Sequence, residues 1–97
     1  MPHMRIAIYQ FQPEAVDETI KRAAEGMLPI FRQQPGFISY AIVKTGDSSA
    51  VSLSTWATSA QADAAINTAA GWVQGNIASM VVSVQNHVGE VALSSWG

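Results

Sequence analysis

The chain has 97 residues, enough for one domain with one modest core and too few for a second. Its net charge is −2, and no basic cluster is present to neutralise phosphates or to hold an anionic membrane surface, which argues against nucleic acid and membrane as partners. There is no cysteine, so disulfides and thiol chemistry are excluded, and no apolar run reaches the roughly 18 residues of a membrane helix; the expected setting is cytoplasmic.

Charge is scarce and unevenly spread. Only 12% of residues are charged, where about 25% is usual for a soluble domain. Lys and Arg stop at Lys44, and from Ser48 onward the only charged side chains are Asp63 and Glu90. Two readings fit this: an Ala- and Ser-rich surface that needs no partner, or a half that is covered by another copy of the chain.

Residues 1–3 read as a leader, and Met4 to Phe11 predict the first strand. Met4, Ile6 and Ile8 lie on one face and Ala7, Tyr9 and Phe11 on the other. Both faces are apolar, so something besides the chain's own helices has to cover the second. Pro13 and Glu14 predict a helix start, with Glu14, Asp17 and Glu18 where the helix dipole favours acids. Val16, Ile20, Ala23, Met27 and Ile30 form its apolar stripe, and Gly26 and Pro29 predict a kink or a break with a fresh turn near Leu28.

Gln33, Gln34, Pro35 and Gly36 end that helix, because Pro35 lacks a donor and Gly36 accepts a positive φ. Phe37 to Lys44 and Ala50 to Ala57 predict a hairpin closed by the polar run Thr45–Ser49. On a strict two-residue period Phe37, Ala41 and Val43 oppose Ile38, Tyr40 and Ile42, while Ser52 and Ser54 make one face of the hairpin polar, the side of a cavity or a wet surface. Thr58 and Gln61 have capping-box spacing and open an Ala-rich helix. Gly71 and Gly75 predict a bend with a short helix to Met80, and Val81 to Leu93 a last strand with a bulge or close approach at Gly89. The order strand, helix, strand, strand, helix, strand is that of an α+β, ferredoxin-like βαββαβ fold: helices on one face of a four-stranded antiparallel sheet, one domain over residues 4–94 with a tail at 95–97 that carries Trp96.

Three stretches then carry a resemblance: Gly26–Leu28 with Pro29, Gln34–Phe37, and Thr55–Thr58 leading into the Ala-rich helix. Together they resemble the antibiotic biosynthesis monooxygenase (ABM) family of the dimeric α+β barrel superfamily, over roughly Arg5 to Leu93. The resemblance implies a homodimer whose open sheet faces close a barrel, with a pocket in each subunit between sheet and helices. It also implies several reactions on one fold: cofactor-independent oxidation of aromatic polyketides to quinones, haem degradation, and isomerisation of small signalling molecules. At the places where haem-degrading members resemble one another in Asn, Trp and a haem-ligating His, this chain has Gln10, Ala65 and Gly75, and the axial imidazole is missing. Of the Asn, Trp and Tyr that quinone-forming members share, only the Trp is matched, by Trp56; Ser52 and Ala62 stand at the other two.

Within the residues themselves, His87 is the candidate catalytic base, since an imidazole titrates near neutrality; the alternative is a polar histidine at a strand end. Trp56, Trp72, Tyr9, Tyr40 and Phe11 are candidate substrate-binding walls for a flat ligand, or the packing of a small core. Arg5 and Arg32 are available to an anionic ligand or to surface ion pairs. No metal site and no cofactor are expected, as two histidines at no ligand spacing give no donor set. The function these features suggest is binding of a small aromatic, quinol-like molecule, with cofactor-independent monooxygenation as the reaction; the alternatives are a non-catalytic binding or accessory module and an isomerase on the same scaffold.

Overall fold

The computed structural model describes residues 1–95. Strand β1 (His3–Phe11) is central, and its alternation decides the two sides of the sheet: Arg5, Ala7, Tyr9 and Phe11 are buried beneath helices, while Ile6, Ile8 and Gln10 point away. It pairs antiparallel with β3 (Ser49–Trp56) and with β4 (Val81–Glu90), and β2 (Phe37–Gly46) pairs with β3, giving the order β2-β3-β1-β4. With α1 (Val16–Glu25), α2 (Met27–Arg32) and α3 (Ser59–Asn76) on one face, this is the ferredoxin-like α+β fold. The segment expected as a leader is tied to the sheet: His3 lies opposite Trp56 and Glu90, and the Pro2 carbonyl accepts the Val91 N–H at 2.9 Å. β4 ends at Glu90 rather than Leu93, and the expected Trp96 and Gly97 of the tail lie outside the described residues.

Several departures from the sequence reading have local causes. Glu14 does not open a helix; it takes φ +64° in a tight corner, where Ala15 donates to the Gln12 carbonyl at 3.1 Å and Gln12 donates to the Met80 carbonyl at 2.8 Å. The expected break falls at Gly26, since Pro29 leaves the Glu25 carbonyl without its donor. The break rotates the stripe, so that Phe31 takes the buried position and Ile30 faces outward.

At the end of α2, Phe37 donates to the Gln34 carbonyl at 3.4 Å across Pro35 and Gly36, the latter at φ +79°, the residue pattern of a type II turn. A register skip between Phe37 and Ser39 leaves Ile38 as an extra residue, so Phe37 joins Tyr40 and Ile42 on the helix side instead of opposing them. The corresponding irregularity in β4 faces Gln10 and Phe11; Gly89 sits in regular register opposite Met4, with open space beside it.

Helix α3 begins with the expected capping box, Gln61 N–H donating to Thr58 Oγ1 at 3.2 Å and Thr58 N–H to Gln61 Oε1 at 3.1 Å. It then runs straight through Gly71 and Gly75 to Asn76, with a short 3₁₀ turn over Ala78–Met80. Ala62, Ala65, Ala69 and Trp72 form its buried face at helical spacing, and that packing outweighs the weak propensity of glycine. A side chain at Gly71 would meet open space. Gly71→Ala is therefore expected to stabilise the fold by about 0.5–1 kcal/mol, read as a rise in the denaturant midpoint; a fall would mean that the helix bends there.

Candidate functional site

The helix face of the sheet carries alternating large and small residues. On β1, Arg5, Tyr9 and Phe11 flank Ala7; on β3, Ala50, Ser52 and Ser54 are all small; on β2, Tyr40 and Ile42 project inward. Small residues on β3 leave room that the helices do not fill. The result is a cavity between sheet and helices of about 440 Å³ including its open mouth, of which about 30 Å³ is clear of every side chain by a full water radius, so the space is narrow. Ile20, Ala23 and Met27 close it from α1 and α2, and Ala69, Trp72 and Val73 from α3.

One end of this space is polar. Arg5 is 2% exposed, and its Nε donates to Asn86 Oδ1 at 2.9 Å and its Nη2 to the Tyr9 hydroxyl at 3.3 Å. Ser52 and Tyr40 line the same end. Burial pushes the Tyr40 phenol above its ordinary 10.0; a hydrogen bond with Ser52 opposes the rise, Tyr9 adds to it and the Arg5 charge opposes it. The phenol is thus held as a proton donor at neutral pH. Because the folded pKa is raised, the linked stability is fully present below pH 10 and is lost as pH climbs past it, where the unfolded chain ionises first. The denaturant midpoint is expected to drop above pH 10, and to drop less in Tyr40→Phe.

The structure brings four of the candidate residues together: Tyr9, Phe11, Tyr40 and Trp72 all line the cavity. Tyr9 and Phe11, two apart on β1, lie with ring centroids 5.5 Å apart and planes at 8°. Trp72 is 9% exposed on α3, and its indole packs against the α1–α2 break so closely that a Cβ at Gly26 would fall 2.6 Å from Nε1.

Trp56 and His87 are elsewhere. Trp56 is 1% exposed and packs edge-on against Phe31 (centroids 5.3 Å) and Phe37 (5.5 Å), its Nε1 donating to Ser54 Oγ at 2.9 Å. It borders a shallow depression with Pro35 and Gln61, not the cavity. His87 is exposed and opposite Ile6, on the sheet face turned away from the helices. Arg5 does not make a surface ion pair; the two ion pairs among the described residues are Arg22–Glu18 and Lys44–Asp17. The signal that places it inside was its phase with Ala7, Tyr9 and Phe11.

A ferredoxin-like sheet with an apolar, aromatic cavity under its helices defines a small-molecule scaffold. The chain belongs to the antibiotic biosynthesis monooxygenase family, whose sequence profile matches residues 2–70. No curated protein matches it. Among solved structures it is similar to the NE2512 protein of unknown function from Nitrosomonas europaea, with TM-score 0.76 and 18% identity over 96% of this chain and 91% of that one. It is similar also to Rv0793 from Mycobacterium tuberculosis, with TM-score 0.74 and 14% identity over 98% and 99%. A third is SnoaB, a cofactor-independent oxygenase from Streptomyces nogalater, with TM-score 0.69 and 14% identity over 97% and 96%. At these identities the likeness is one of fold. No described helix is long and apolar enough to cross a membrane.

Proposed function

We propose that this chain binds a small, flat aromatic molecule of the quinol type in the cavity between sheet and helices, and oxygenates it without a cofactor. The observation that carries the reading is the cavity itself, narrow, walled by Tyr9, Phe11, Tyr40 and Trp72 and polar at one end. In the reaction a phenolic substrate gives up its proton and the resulting carbanion meets O₂. One oxygen atom becomes a carbonyl at the ring C–H para to the phenol, and the other leaves as water with that carbon's hydrogen and the phenolic proton, so that the phenol ends as a quinone. The protein's part is to exclude water from the ring and to orient its hydroxyl toward the polar end.

The base in this reading is not His87, which projects from the opposite face. Among the described residues, nothing lining the cavity is a His, Asp or Glu, and this favours a second reading, a binding module without turnover. Oxygen uptake with a panel of dihydroxyaromatic compounds, run beside tryptophan quenching, tests both. Uptake supports the oxygenase, saturable quenching without uptake supports the binder, and neither signal overturns the cavity as a ligand site.

The homodimer belongs to the same proposal. Ile6, Ile8, Val43, Val51 and Leu53 leave the outer sheet face apolar, with Ile8 and Val43 exposed; the same face of a second copy would cover it, as the family's barrel does. Sedimentation at micromolar concentration is expected to give twice the 10.3 kDa chain mass.

A further inference from the structure

The guanidinium of Arg5 is the one feature of the cavity that core packing does not account for. A buried charge is ordinarily paired, because desolvation costs more than neutral hydrogen bonds return. All seven Asp and Glu residues of the chain are exposed. The partners Arg5 has, the Asn86 amide and the Tyr9 hydroxyl, are neutral, and they engage Nε and Nη2 only. Nη1 makes no hydrogen bond among the described residues, and Arg5 lines the cavity. The Tyr9 hydroxyl accepts from Arg5, which leaves its own proton free to donate, and Tyr9 also lines the cavity.

We infer that the cavity is built for an anion: a ligand with a flat apolar body and one ionised oxygen acid, a carboxylate or an acidic phenol, whose negative oxygen pairs with Arg5 Nη1 and accepts from Tyr9. This rests on the cavity being the ligand site and adds the charge of the ligand. The apolar body lies along Phe11, Ile42 and Trp72, which contact it without regard to charge; selection is the work of Arg5 alone. Charge-assisted hydrogen bonds are the strong ones, so an anion gains over its neutral analogue at the Arg5 guanidinium.

The probes are 2-naphthoate, its methyl ester and 2-naphthol, with affinity measured by calorimetry at pH 7 for the wild type, Arg5→Met and Arg5→Lys. The wild type is expected to prefer 2-naphthoate over the ester by about tenfold or more. The preference disappears in Arg5→Met and is partly kept in Arg5→Lys. The unliganded Arg5→Met protein is expected to be as stable as the wild type or more so, because an apolar isostere replaces an uncompensated charge. Binding of 2-naphthol, un-ionised at that pH, as tightly as 2-naphthoate overturns the inference. So does equal affinity for acid and ester, which leaves the aromatic cavity standing, as does an Arg5→Met protein that loses stability while keeping the preference. Failure of all three probes to bind the wild type overturns both the inference and the cavity reading.

Discussion

Trp56→Ala is expected to cost about 3–5 kcal/mol, the range for removing a large aromatic from a packed core. That is a large share of the 5–15 kcal/mol that holds a domain together. The loss has two parts: the edge-on contacts with Phe31 and Phe37 that join α2 to the start of β2, and a fully buried Ser54 hydroxyl left without its Trp56 partner. Trp56→Phe keeps most of the packing and loses the hydrogen bond, so it is expected to cost about 1–2 kcal/mol. Because Trp56 is outside the cavity, this variant leaves aromatic-ligand affinity unchanged. Urea unfolding of the two variants, with ligand titration of Trp56→Phe, checks the account; a fall in affinity with Trp56→Phe would return that residue to the binding site.

The second large effect is at Gly36. An L side chain at φ +79° costs about 1–2 kcal/mol in backbone strain. A Cβ there also collides with the Gln61 side-chain amide, which is half of the α3 capping box. Displacing it adds about 1 kcal/mol, so Gly36→Ala is expected to lose about 2–3 kcal/mol in all. The two contributions separate in a double-mutant cycle, because in a Gln61→Ala background only the strain remains. Equal costs in both backgrounds would mean that the turn and the helix cap are independent.

Legibility in the sequence followed the range of the interaction. The Pro35–Gly36 turn, the Thr58–Gln61 cap and the break before Pro29 are short-range features, and residue type alone locates them. The element order and the two apolar faces of β1 also follow from short periods. What failed were inferences that treat one residue as decisive where packing decides. Gly71 and Gly75 read as a bend because glycine is a poor helix former, yet the Ala62–Ala65–Ala69–Trp72 face carries the helix across them. Tyr40 and Phe37 share a face only because Ile38 is extruded from the register, and no composition rule announces a bulge.

The site divided in the same way. Of the five aromatics read from the sequence as one wall, Tyr9, Phe11, Tyr40 and Trp72 line the cavity across the helix–sheet gap and Trp56 does not. His87 was singled out for its titration range, but strand alternation opposite Ile6 sends it to the other face. Arg5 was weighed with Arg32 for an anionic ligand or for a surface ion pair, and its parity with Ala7 and Tyr9 already put it indoors. Parity was the better guide, since a strand has only two directions in which to send a side chain.

The contact between Gly26 and the Trp72 indole means that the bore of the slot is governed from outside it. Only a hydrogen atom at that backbone position leaves the ring its place in the cavity wall, since a Cβ would lie 2.6 Å from Nε1. Anything bulkier there would displace the indole and reshape the cavity without altering a single residue of the lining. The width of the cavity and the charge at its polar end therefore have separate origins in the fold, the first in a helix break and the second in Arg5 of β1.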